Sequence, residues 1–272
     1  MFAHVFVRNA YLAGTFIALA CGVVGWFVVL RGQLFAGDAL THVAFVGAIG
    51  AAVLGFDELV GLFVLTLAVA AGMAALGRRG QADDAAIGIV FAWILGVGVL
   101  LLAILATSAS GGTGVAAANT LFGSIYSLTA SGSRLAAAIA LATALTVLIG
   151  SRPLLLASLD TDVASARGIP VRALGIGFLA LLAVVTAEST QAVGALLMLG
   201  LLAAPAGAAQ RLTANPYRGL VLSALLAVLA MWGGLALSYQ IGSLPPSSAV
   251  IGLAGAAYAV VALRTRHGRR QA

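Results

Sequence analysis

The chain has 272 residues, 62% hydrophobic and only 8% charged. A soluble domain carries roughly a quarter charged residues, so this composition excludes one and indicates a polytopic helical membrane protein made of ~20-residue apolar segments. The fourteen basic residues are all Arg, against eight acids, for a net charge of +6; a chain without Lys carries no P-loop for nucleotide phosphates, and arginines in short loops and the C-terminal tail read as a positive-inside pattern rather than a nucleic-acid surface.

Hydropathy predicts nine spans: Ala10–Leu30, Ala39–Leu54, Leu59–Leu76, Ala85–Ala106, Leu135–Ile149, Val171–Ala187, Gln191–Gln210, Gly219–Ser238 and Ser248–Leu263. The number falls to eight if the first or last segment fails to cross. The whole of 1–272 reads as one transmembrane domain, all-α, without the short alternating segments of a β-barrel. Arg31, Arg78-Arg79, Arg152, Arg167, Arg172, Arg211, Arg218 and the Arg264–Arg270 cluster fall on alternate loops. Placing those loops in the cytoplasm puts the C-terminus inside and the N-terminus outside. Ala18-Leu19-Ala20-Cys21 has a faint likeness to a lipoprotein cleavage site, but the apolar run continues to Leu30, as expected of an uncleaved first span. The single Cys21 excludes an intrachain disulfide and a cysteine-cluster metal site.

Three connections are more than turns. Residues 107–133 are rich in Gly, Ser, Thr and Ala around a short apolar core, Leu121–Tyr126, and read as an outer or re-entrant loop. Residues 151–170 form the longest cytoplasmic loop. Within it Asp160–Gly168 reads as a short helix, capped by Asp160 or Asp162 and ended by Gly168 ahead of Pro170. Pro245-Pro246 marks a rigid outer turn, and Pro205 is expected to kink the seventh span.

Few residues offer chemistry. Asp38 and His42 stand four apart, so on a helix they share a face one turn apart. As a carboxylate–imidazole pair they suit a passing divalent transition metal such as zinc, manganese or iron. In the plainer reading Asp38 caps the second span and His42 bonds a neighbouring helix. Glu188 reads as lying between two spans near the outer surface, either an acid at a channel mouth or a solvated loop residue. Asp57-Glu58 reads as a solvated turn, Asp83-Asp84 as the cap of the fourth span, and Met198 as packing or a soft ligand. Neither a Ser-His-Asp set nor an HExxH string is present, so nothing supports catalysis by this chain.

Four segments together resemble one family. Gly37-Asp38-Ala39-Leu40-Thr41-His42 is similar to its GDALSHA signature, with Thr41 in place of Ser. Asp84–Phe91 resembles its DAAIGIVF segment, Leu121–Ile125 its LFG-x-I loop, and Val193–Leu197 with Pro205–Ala209 its VG-x-LL and PAA-x-A run. The family is that of membrane permease subunits of ATP-binding-cassette importers for zinc, manganese or iron. The resemblance implies a type II importer-like permease in the cell membrane. It implies two copies around a central path, separate ATPase subunits, an extracytoplasmic metal-binding protein, and no cofactor beyond the transported ion. It assigns Asp38 and His42 to the metal path. It assigns Asp160, Asp162, Ala164, Arg167 and Gly168 to an ATPase-coupling helix, and has no matching acid for Glu188. Two other readings stand beside it: a siderophore or cobalamin permease, and a stand-alone ion-coupled transporter.

Overall fold

The computed structural model describes residues 4–77, 84–108, 123, 125–195 and 198–268. The elements are α1 (Val5–Leu30), α2 (Leu34–Leu54), α3 (Glu58–Leu76), α4 (Asp84–Ser108), a 3₁₀ turn (Ile125–Ser127), α5 (Ala130–Ile149), α6 (Ser151–Leu159), α7 (Thr161–Ala166), α8 (Val171–Val193), α9 (Met198–Leu212), α10 (Pro216–Gln240) and α11 (Pro246–Gly268). Among the described residues eight helices are long and apolar enough to cross a membrane: α1–α5, α8, α10 and α11. The expected seventh span is the exception. Its first residues, Gln191–Val193, belong to α8, and those from Met198 on lie in the 15-residue α9. At ~1.5 Å per residue α9 is about 22 Å long, short of a ~30 Å hydrocarbon core. It is lined with buried residues, including Met198, Leu201, Leu202 and Pro205, so protein covers much of its length, while its last residues, Arg211 and Leu212, are exposed. The helix continues through Pro205, and the interruption lies earlier, at Gly194.

α1 is the centre of the bundle and packs against α5, α8, α9 and α10. Lipid gives helices no hydrophobic reason to associate, so close backbone packing and interhelical hydrogen bonds must supply it. At Gly25 of α1 an added methyl group would lie 2.1 Å from the Leu202 carbonyl oxygen of α9. Ser223 Oγ of α10 donates to the Gly22 carbonyl at 2.6 Å, and Trp232 Nε1 donates to Thr15 Oγ1 at 2.8 Å.

The described C-terminal part of the expected outer loop folds inward. Gly123 (φ +74) lies where a Cβ would be 2.3 Å from the Val193 carbonyl carbon, so the chain there covers the α8 end. Ile125 is buried, and Tyr126 donates its hydroxyl to the Leu235 carbonyl at 2.9 Å. Most of the 107–133 loop lies outside the described residues, as does Asp83. Asp57 caps α3 by accepting from Leu59 N–H at 2.8 Å, and Met198 is fully buried in the core.

Candidate metal path and cytoplasmic helix

α2 starts a turn before its predicted first residue. α1 closes with Gln33 N–H on the Val28 carbonyl at 2.9 Å and Gly32 at φ +66. The chain then enters α2 directly, and the N-cap is Gln33 rather than Asp38. Leu34-Phe35-Ala36 is apolar and compatible with a helix, which is why the start shifts. Asp38 is therefore interior to α2, and the reading of it as a cap is set aside.

Asp38 and His42 are both half-buried on one face of α2. His42 Nδ1 lies 3.0 Å from the Asp38 main-chain oxygen. A carbonyl only accepts, so Nδ1 carries the hydrogen, and in the neutral ring the lone pair is then on Nε2. This is the tautomer a metal-binding imidazole requires, with the orienting bond supplied by the helix itself. Phe91 of α4 meets the imidazole edge-to-face, centroids 5.2 Å apart and planes at 80°, and meets Phe35 edge-to-face as well, at 6.0 Å. Phe35, Asp38 and His42 thus form a stripe facing α4. Buried Thr41 spends its hydroxyl on the Gly37 and Asp38 carbonyls, both at 2.8 Å. Among the described residues no group of three or more His, Cys, Asp or Glu could hold a metal, so one chain offers two donors here.

Glu188 does not lie between spans. α8 runs past the predicted end at Ala187 to Val193, and Glu188 is 5% exposed within it. The polar run around it looked like a loop, but its hydroxyls are satisfied inside the bundle. Thr186 donates to the Ala183 carbonyl at 2.9 Å and Thr190 to the Thr186 carbonyl at 2.6 Å, and Ser189 Oγ is 3.1 Å from Cys21 Sγ. Glu188 lines a small cleft with Ile17 and Ala20 of α1 and Ile139 and Thr143 of α5. Its neighbour Ala187 instead packs with Ala44 and Ala48 of α2. Glu188 therefore lies within α8, buried against α1 and α5.

The 151–170 loop holds two helices, α6 and α7, where one was expected. Asp160 Oδ1 accepts from the N–H groups of Asp162 (3.0 Å) and Val163 (2.9 Å), which makes it the α7 cap. Gly168, at φ +77, ends the turn. Asp160, Asp162, Arg167 and Gly168 are exposed, together with Val163. Ala164 is completely buried against its own chain, so it is part of the support beneath α7 and not of its outer face.

Sequence reasoning missed Arg31 and Gln33. Arg31 read as a loop arginine, yet its guanidinium stacks over the Phe178 ring at 5.1 Å. Its Nε and Nη1, and both polar atoms of the Gln33 side chain, are buried with no hydrogen-bond partner among the described residues. Burial lowers the Arg31 pKa from its ordinary value. Nothing local in the sequence separates these two from solvated loop residues.

The model of the ABC 3 transport family matches residues 3–265. The chain is 28% identical over 246 residues to the manganese transport system membrane protein MntC of Halalkalibacterium halodurans, covering 89% of this chain and 82% of that one. It is 30% identical over 269 residues to the chelated iron transport system membrane protein YfeD of Yersinia pestis, covering 98% and 87%. Among solved structures it is similar to PsaBC from Streptococcus pneumoniae in complex with Fab, with a TM-score of 0.82, 25% identity, and coverage of 96% of this chain and 92% of that one.

Proposed function

Because this chain belongs to the ABC 3 transport family, we propose that it is the membrane subunit of an ATP-driven importer of a divalent transition metal, with manganese or iron the leading cargo. The relatives named for manganese and chelated iron support that order; zinc accepts the same two donors. The observation that carries the reading is His42. Its tautomer is set by the Asp38 carbonyl, its Nε2 is left as a donor, and the Asp38 carboxylate stands one turn away.

Two copies pair along the α2–α4 side, giving two carboxylates and two imidazoles at one level of a shared path. α4 is the least buried of the spans, with Ile89, Trp93 and Val99 exposed, so that side has room for a partner. Four weak donors from two chains hold an ion long enough to strip part of its water and release it, as conduction requires. An extracytoplasmic binding protein delivers the ion. Separate ATPase subunits dock under α7, through Asp160, Asp162, Val163, Arg167 and Gly168, and their closure rocks the two copies. The C-terminus is cytoplasmic, the ion is cargo rather than a resident cofactor, and this chain performs no covalent chemistry.

The test is a deletion strain complemented with wild type, Asp38→Ala or His42→Ala, with manganese, iron and zinc limited in turn and cell metal measured by elemental analysis. Both variants should reach the membrane at wild-type levels while metal content stays at that of the deletion strain. Wild-type metal content in both would reject the ligand role.

A further inference from the structure

An apolar groove of about 300 Å³ runs between α5, α6 and α8. We propose that it is a binding site for one anionic phospholipid, with an acyl chain in the groove and the headgroup phosphate against Arg152 and Arg172.

The lining is hydrocarbon. Leu154 of α6 and Phe178 of α8 are buried at its floor, and Gly150, Ala173, Gly177 and Leu181 complete it. The single hydroxyl, Thr146, is already donated to the Ala142 carbonyl at 2.8 Å, so the groove offers a ligand no polar group. Along α8 it extends from Pro170 to Leu181. At ~1.5 Å per residue that is about 16 Å, the depth of one leaflet of a ~30 Å core. The surface beside it is also apolar and open, with Leu145 48%, Ile149 83% and Ile176 40% exposed.

Charge fixes the polarity of the occupant. Arg152 lies two residues from both Gly150 and Leu154, and Arg172 adjoins Ala173; both arginines are exposed. They stand at the α6 end of the groove, where the span gives way to the loop and headgroups lie. A third cation touches the wall, since Arg31 stacks on Phe178. Basic residues at the mouth of an apolar inter-helix groove recognise an anionic headgroup and leave a zwitterionic one without a matching net charge. The same groove borders α6, which leads into α7, so a lipid there would brace the loop proposed to meet the ATPase.

The experiment is native mass spectrometry of the full chain, purified with the subunits that accompany it, after adding phosphatidylglycerol or phosphatidylcholine. Wild type should retain phosphatidylglycerol in preference. Retention should fall about fivefold for each of Arg152→Gln and Arg172→Gln. Gly177→Leu should abolish it without lowering the melting temperature, because a Cβ at Gly177 meets nothing within 4 Å and the rest of the side chain has the open groove to enter. Undiminished phosphatidylglycerol on Gly177→Leu, or equal retention of the two lipids by wild type, would overturn the proposal. So would a Gly177→Cys disulfide between two copies in native membranes, which would mean that protein covers the groove. These outcomes are independent of which metal the chain carries.

Discussion

The imidazole of His42 is held from two sides: the Asp38 carbonyl fixes its proton and the Phe91 ring fixes its plane. Loss of an orienting contact around a metal ligand costs on the order of tenfold in affinity. Phe91→Ala should therefore raise the half-saturating manganese concentration for uptake about tenfold while leaving maximal uptake largely intact; an unchanged concentration dependence would remove Phe91 from the site. Arg31 and Gln33 show the limit of reading at this scale. Their composition and position suit an ordinary loop, yet Arg31 packs on Phe178 of α8, and buried polar atoms of both side chains have no hydrogen-bond partner among the described residues. Asp38 and His42 were legible because an acid and an imidazole at helical spacing in an apolar run are rare and costly.

Helix ends decide what each element presents. α7 was readable because a cap, a short polar run and a terminating glycine are local signals, and the structure has Asp160 as the cap and Gly168 as the stop. Asp160→Ala removes two backbone hydrogen bonds and should cost about 1 kcal/mol locally. The check is faster proteolysis within 151–170 at unchanged global melting temperature. The α8 end was misread because Thr186, Ser189 and Thr190 look like a loop in one dimension; their partners are helix carbonyls and Cys21 of α1. The start of α2 was misplaced for the opposite reason, since Leu34–Ala36 carries no capping residue and the turn is set by Gly32. α6 was missed because Ser151–Leu159 is short and lies within the segment read as a loop. At the α1–α9 crossing, Gly25→Leu should prevent assembly of the bundle, seen as loss of monodisperse protein in detergent, because backbone and not a flexible side chain occupies the space.

Across the whole molecule, a central α1 is wrapped by α5, α8, α9 and α10, and α2, packed against α3 and α4, carries the Phe35–Asp38–His42 stripe at its side. The proposed cytoplasmic C-terminus and outer N-terminus need α9 to serve as a ninth crossing beside the eight helices long enough to span. A reporter at the C-terminus should be active in the cytoplasm and one at the N-terminus outside; the reverse result would invert the proposed direction of α7. Val163 is 41% exposed on α7 while Ala164 beneath it is buried, so Val163→Arg should uncouple ATP hydrolysis from uptake without loss of stability. The claim on which the rest depends is that the ion passes between Asp38 and His42. It is tested most directly by ATP-driven uptake of radioactive manganese into proteoliposomes holding the assembled transporter. The account predicts that His42→Ala assembles and hydrolyses ATP but takes up under about a tenth of the wild-type ion. Full uptake by that variant would contradict it.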